Sequence, residues 1–182
     1  CYKVQVDVDS IIELIKLFLV FHNLELRYDN TRKCIIEVRN NISGFYKGLI
    51  YCIDLNDAVE ISNKINICLQ KYIRIDLSSR LKRGCSEYPL EYPKYKEINE
   101  SGIQPMKYNE KWRFFEKEID KGDKEWGKSN KSIDGFSLND FLIMRNWIAY
   151  AQKIGDKKVS LITSEIIEGP NHLSFISRQI NS

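Results

Sequence analysis

The first 23 residues join a strand pattern directly to a helix pattern, and this junction constrains the fold more than any other feature. Residues 2–8 alternate between apolar and polar side chains, which is the period of a half-buried strand. Asp9 and Ser10 then offer N-caps to residues 10–23, which are apolar on nearly every face. This apolar run is too long for a buried strand, so we predict a helix that is covered on both sides.

The segments that follow predict a small α+β sandwich. Strand patterns cover residues 24–28, 33–39, 45–53 and 73–77, and a helix with Asp54 or Asn56 as its N-cap covers the residues up to Tyr72. The order strand, helix, two or three strands, helix, strand is typical of helices on one face of a mainly antiparallel sheet. The ferredoxin-like topology is the first arrangement to test.

The second half of the chain is expected to be helix-rich and packed on this sandwich. Ser137 and Asp140 form a capping-box pattern at the start of a helix that runs to Ile154. Pro105 is expected to open another helix, and residues 159–162 a short strand. The broad buried face expected for the helix after Ser137 consists of Leu138, Phe141, Met144, Trp147, Ile148, Ala151 and Ile154.

The organisation predicted from these patterns has three parts. Residues 1–79 form the sandwich, 80–104 a basic loop rich in tyrosine and proline, and 105–182 the helix-rich part. The aromatic content of the second half predicts one cooperative unit rather than two free domains.

The cysteines predict a reducing, cytoplasmic setting. The chain of 182 residues has five cysteines, an odd number, with none of the short spacings of zinc or redox sites. No apolar run reaches the roughly 20 residues of a membrane span, so no membrane partner is expected.

The segment 80–96 holds the excess positive charge. Its five basic and two acidic residues give +3, which equals the net charge of the whole chain. Cations neutralise phosphates and aromatic rings stack on bases, so such a segment suits single-stranded nucleic acid. A structured loop with solvated charges is the alternative interpretation. The predicted binding residues are Arg80, Lys82, Arg83, Tyr88, Tyr92, Lys94, Tyr95 and Lys96.

Two further patterns in the sequence are compatible with an enzyme. Cys85 follows two basic residues, which favours its thiolate, and His172 is the freer of the two histidines as its base. Asp7, Asp9 and Asp54 follow or end predicted strands and could hold Mg²⁺ as in nucleases, although each also sits where a helix cap belongs. No phosphate-binding glycine loop is present, and no cofactor is predicted.

The leading functional hypothesis is therefore a non-enzymatic intracellular binding protein. Its partner is expected to be a nucleic acid or a protein, met through the basic segment, because no catalytic pattern in the chain is specific. A thiol hydrolase using Cys85 or a metal-dependent nuclease using the aspartates is the alternative.

Overall fold

A computed structural model describes residues 2–39, 41–84, 88–93, 98, 111–112, 114–119 and 136–162. The strands are β1 (Tyr2–Val8), β2 (Arg32–Ile36), β3 (Tyr46–Cys52) and β4 (Arg80–Arg83). The helices are α1 (Ile11–Asn23), α2 (Leu55–Tyr72), the short α3 (Tyr88–Glu91) and α4 (Leu138–Lys153), and a 3₁₀ helix spans Lys157–Leu161. Residues 112 and 114–119 are also helical.

The four described strands form an antiparallel sheet in the order β2-β3-β1-β4. With the chain order β1-α1-β2-β3-α2-β4, this is the split β-α-β arrangement called ferredoxin-like. The predicted α+β class and the mainly antiparallel sheet are confirmed. The central strands β1 and β3 lie between the two outer ones.

The two helices α1 and α2 cover one face of the sheet. Even-numbered residues of β1 point toward them, and Val4 and Val6 are fully buried there. Gly48 of β3 lies under α1, because a Cβ atom at this position would come within 2.7 Å of the side chains of Leu17 and Phe21. The absent side chain therefore lets the helix approach the sheet.

Helix starts follow the predicted caps. The Ser10 side chain accepts from the backbone N–H of Glu13, and Asp54 accepts from Asp57 at 2.8 Å. At α4 the Ser137 hydroxyl accepts from the Asp140 N–H, while the Asp140 carboxylate accepts from the Ser137 N–H at 2.7 Å. Short polar side chains thus set these boundaries locally.

The end of the described chain packs on the sandwich, as predicted. Ile148 and Ala151 of α4 and Val159 of the 3₁₀ helix belong to the same buried cluster as the sheet and α1. Asp156 accepts hydrogen bonds from the backbone N–H of Ile11 at 2.8 Å and from the hydroxyl of Tyr46 at 2.9 Å. The C-terminal segment is therefore bonded to both layers of the sandwich.

Three predicted strands are wrong. Residues 24–28 form a connection in which Leu24 is buried by packing rather than by strand pairing. Residues 73–77 form turns that end α2, with the N–H groups of Ile73 and Arg74 bonded to the Leu69 carbonyl. Residues 159–162 belong to a 3₁₀ turn and its end, since Asp156 caps this segment. Apolar content alone suggested the strands, and local hydrogen bonds overrode it.

The prediction of a broad buried face on α4 is also wrong. Ile148 and Ala151 are buried, whereas Leu138 is 68% exposed and Phe141, like Ile154, is exposed. In the helical segment 114–119 the two phenylalanines are exposed, Phe114 at 67% and Phe115 at 63%. The helix predicted from Pro105 begins outside the described residues.

Candidate nucleic-acid interface

The first four residues of the predicted basic loop form β4 instead. Because β4 pairs with β1, its side chains alternate between the two faces of the sheet. Leu81 and Arg83 lie on the helix-covered face opposite Val4 and Tyr2, and Arg83 is only 7% exposed. Arg80 and Lys82 point to the other face. The predicted trio of basic residues is therefore divided, and Arg83 belongs to the packed interior.

The face of the sheet that points away from α1 and α2 carries a cluster of cations, which we call the cationic face. Its members come from three strands and are Lys3, Lys47, Arg80 and Lys82. Lys3 lies directly opposite Lys82 in the β1–β4 register. The register therefore places two lysines side by side on this face.

The pKa of Lys82 reflects its burial and its cationic neighbours. Burial lowers the pKa of this ammonium group, and the positive charges of Arg80, Lys47 and Lys3 lower it further, against the opposing effect of Asp7. Three neighbouring cations therefore act on the Lys82 ammonium group.

Carboxylates compensate part of the cluster. Asp7 is 2.8 Å from the Arg80 guanidinium, and Glu37 is 3.4 Å from the Lys47 ammonium. Glu37 also accepts hydrogen bonds from the guanidinium of Arg39, which is the largest cause that lowers the pKa of Glu37 to about 2. Cations therefore hold Glu37 just after β2 and Asp7 near the end of β1. Both carboxylates are paired away from Lys3 and Lys82.

The polar centre of this face is deeply placed. Gln5 and Lys47 are each only 1% exposed, and the Lys3 ammonium lies 4.8 Å from the centre of the Tyr51 ring. The Gln5 amide nitrogen donates to Asp7 at 2.7 Å, while its buried oxygen has no hydrogen-bond partner among the described residues. Exposure rises toward β4, where the Arg80 side chain is 55% exposed. The β4 edge is therefore the more exposed side of the cluster.

The remaining predicted binding residues are spread along the connection after β4. Tyr92 is exposed just beyond α3, and the backbone of Tyr88 begins that helical turn. Lys94, Tyr95 and Lys96 lie outside the described residues. Stacking by these tyrosines therefore stays a prediction.

The proposed aspartate site is not assembled. Because β1 and β3 are antiparallel, Asp7 lies at the Tyr46 end of the sheet, whereas Asp54 follows Cys52 at the opposite end, roughly 20 Å away by strand rise. Asp9 is paired with Arg74, and Asp54 caps α2. Within the described residues no group of three or more His, Cys, Asp or Glu side chains could hold a metal ion.

The thiol hypothesis falls outside the described part of the chain, since neither Cys85 nor His172 is included there. Among the described cysteines, burial raises the pKa of Cys34 to about 12 and that of Cys52 to about 11. Their thiolates are scarce at neutral pH, so both behave as small apolar side chains.

Sequence reasoning missed Lys3, Gln5 and Lys47. The alternation in residues 2–8 gave the direction of Lys3 and Gln5, since odd positions are polar, but it did not show which strand lies beside β1. A search for polar residues on the odd positions of the central strands is the signal that could have found them.

Comparison of the chain with protein-family models, with curated proteins and with solved structures finds no match. Among the described residues, no helix is both long and apolar enough to cross a membrane. The functional argument therefore depends on the site, because a ferredoxin-like topology hosts many unrelated functions.

Proposed function

We propose that this protein binds nucleic acid through its sugar–phosphate backbone, at the β4 edge of the cationic face. The observation that carries this proposal is the direct opposition of Lys3 and Lys82, with Arg80 beside them. A phosphate at this edge accepts charge-assisted hydrogen bonds from these cationic side chains.

The arrangement assigns different roles to the basic residues of β4. Lys82 supplies the phosphate contact, since Arg80, Lys47 and Lys3 are the cations that act on its ammonium group. Arg80 is partly exposed but also paired with Asp7, so it contributes through an exchange of partners. Arg83 lies on the helix-covered face and supports the fold. Tyr92 offers an exposed ring for base stacking further along the chain.

The test is the salt dependence of binding to a fluorescein-labelled 20-nucleotide single-stranded RNA, followed by fluorescence anisotropy. Each phosphate contact with a single strand contributes about −0.7 to the slope of log K against log salt. We expect K82Q to weaken binding by about three- to tenfold at low salt and to make the slope shallower by about one such contact.

Lys71→Gln is the matched control for this experiment. Lys71 lies on α2, across the sheet from the cationic face, and its removal changes net charge by the same amount. The proposal is wrong if K82Q and K71Q bind RNA equally. If polyglutamate binds and K82Q weakens that binding, while RNA does not bind at all, the face is assigned to an acidic protein partner instead.

A further inference from the structure

A groove of about 650 Å³ lies between α1 and α2, on the flank away from the sheet. Its volume is within the range of small-molecule sites. Leu19 and Val20 of α1 form one apolar wall, and Cys68 and Tyr72 of α2 form the other. The groove is separate from the cationic face, because the sheet lies between them.

The composition of α1 explains why this groove is apolar. One flank of α1 packs on the sheet through residues such as Leu14 and Leu17, which are fully buried. Phe18 contacts Trp147 of α4, with ring centres 5.8 Å apart. Leu19 remains exposed toward the groove. The helix is apolar on nearly every face, and this third face is the one that packing within the described chain leaves accessible.

Two ammonium groups border the apolar walls from opposite helices. Lys16 comes from α1 and Lys64 from α2, and both are exposed. Lys64 donates a hydrogen bond to the backbone carbonyl of Glu25, a neutral acceptor, which holds its ammonium group at the rim. Together with the Glu25 carboxylate, the charged side chains of the rim give a net charge of +1.

We propose that this groove binds an amphipathic carboxylate, a molecule with an unbranched apolar body and one anionic head, as in a fatty acid. The apolar body lies between the walls, where its burial removes apolar surface from water. The carboxylate lies at the rim, where Lys16 and Lys64 supply charge-assisted hydrogen bonds. An apolar ligand without a charge uses only the first of these contributions.

Cys68 provides a direct report on occupancy, because its half-buried side chain lines the groove. The experiment measures the rate of Cys68 alkylation by iodoacetamide, with the modified peptide identified by mass spectrometry. Dodecanoate and dodecanol are added separately below their solubility and micellar limits. We expect dodecanoate to slow alkylation at least fivefold at saturation, and dodecanol to require about tenfold more ligand.

Two variants separate the head from the body of the ligand. The double variant K16Q/K64Q keeps the walls and should weaken dodecanoate by about tenfold while leaving dodecanol unchanged, which removes the preference. Val20→Phe fills the groove and should weaken both ligands. K153Q removes an exposed lysine of α4 that does not line the groove and serves as the control.

Several results would overturn the proposal. Unchanged alkylation of Cys68 at saturating dodecanoate would exclude the site itself. Equal affinities for dodecanoate and dodecanol, or an equal loss in K153Q and K16Q/K64Q, would exclude recognition of the carboxylate. Should V20F fail to fold, the lysine variants decide the question, since both residues are exposed.

Discussion

The hydroxyl of Tyr46 donates a 2.9 Å hydrogen bond to the carboxylate of Asp156, and this bond joins the start of β3 to the segment after α4. The same carboxylate oxygen accepts from the backbone N–H of Ile11, at the N-terminus of α1. Burial, and then the bond to Asp156, raise the pKa of Tyr46, so the hydroxyl remains a donor at all ordinary pH values. One side chain thereby connects sheet, helix and C-terminal segment.

Replacing Asp156 should therefore destabilise the whole molecule. We expect D156A to lower the free energy of unfolding by about 2–3 kcal/mol, since a charged acceptor of three hydrogen bonds, from Ile11, Tyr46 and Lys158, is lost. Tyr46→Phe should cost about 1 kcal/mol. Urea unfolding measures both, with K153Q on the exposed surface of α4 as the control. A change below 0.5 kcal/mol (on the order of the usual surface effect) in D156A would contradict this role.

Glu37 should give the stability a distinct acid dependence. Its pKa is about 2 in the folded chain, mainly because Arg39 donates to it, and about 4.3 when unfolded. A lowered folded pKa means that the stabilisation is complete above about pH 5 and is lost as the pH falls toward 2. Stability of E37Q should therefore fall less steeply over this window than that of the unaltered chain.

At pH 7, E37Q should also be less stable by about 3 kcal/mol, because it leaves the buried Lys47 ammonium without that counter-charge. Urea unfolding at several pH values measures both effects. Glu60→Gln on the exposed surface of α2 is the control. Parallel pH profiles for E37Q and the unaltered chain would contradict the assignment.

Gly48 and Gly155 separate crowding from backbone strain. At Gly48 an added Cβ comes within 2.7 Å of Leu17 and Phe21, so G48A should cost about 2 kcal/mol through overpacking. At Gly155 an added Cβ would meet no described atom within 4 Å, but the backbone φ is +80°. We therefore expect G155A to cost about 1 kcal/mol through backbone strain alone. Thermal unfolding measures the loss of stability in each variant. Gly48→Val should destabilise the protein more than G48A, whereas a side chain larger than alanine at Gly155 should add little further loss.

Parts of the fold that depend on local signals followed from the sequence. The strand of residues 2–8, both long N-terminal helices and the Ser137 capping box have their determinants within a few residues of each other. The strand at residues 80–83 did not, because only Leu81 of these four residues is apolar. Its pairing with β1 comes from about 75 residues away in the chain, which no local pattern contains.

The candidate site divides in the same way. Arg80 and Lys82 stood out by charge, but their position beside Lys3 depends on strand order and register. Asp7 and Asp54 show the opposite outcome, since equivalent strand-end positions in the sequence lie at opposite ends of an antiparallel sheet. Composition identified which groups are charged, and pairing identified which of them meet.

By itself, the order of residues determined the class of fold, the caps of the helices and the excess of positive charge near residue 80. Only the tertiary structure decided that Lys3 faces Lys82, that Arg83 is buried, and that α1 keeps an open apolar flank beside α2. The physical reason is that hydrogen-bonded caps and side-chain periodicity act over one or two turns. The electrostatic and packing relationships of both proposed sites join segments that are distant in the chain.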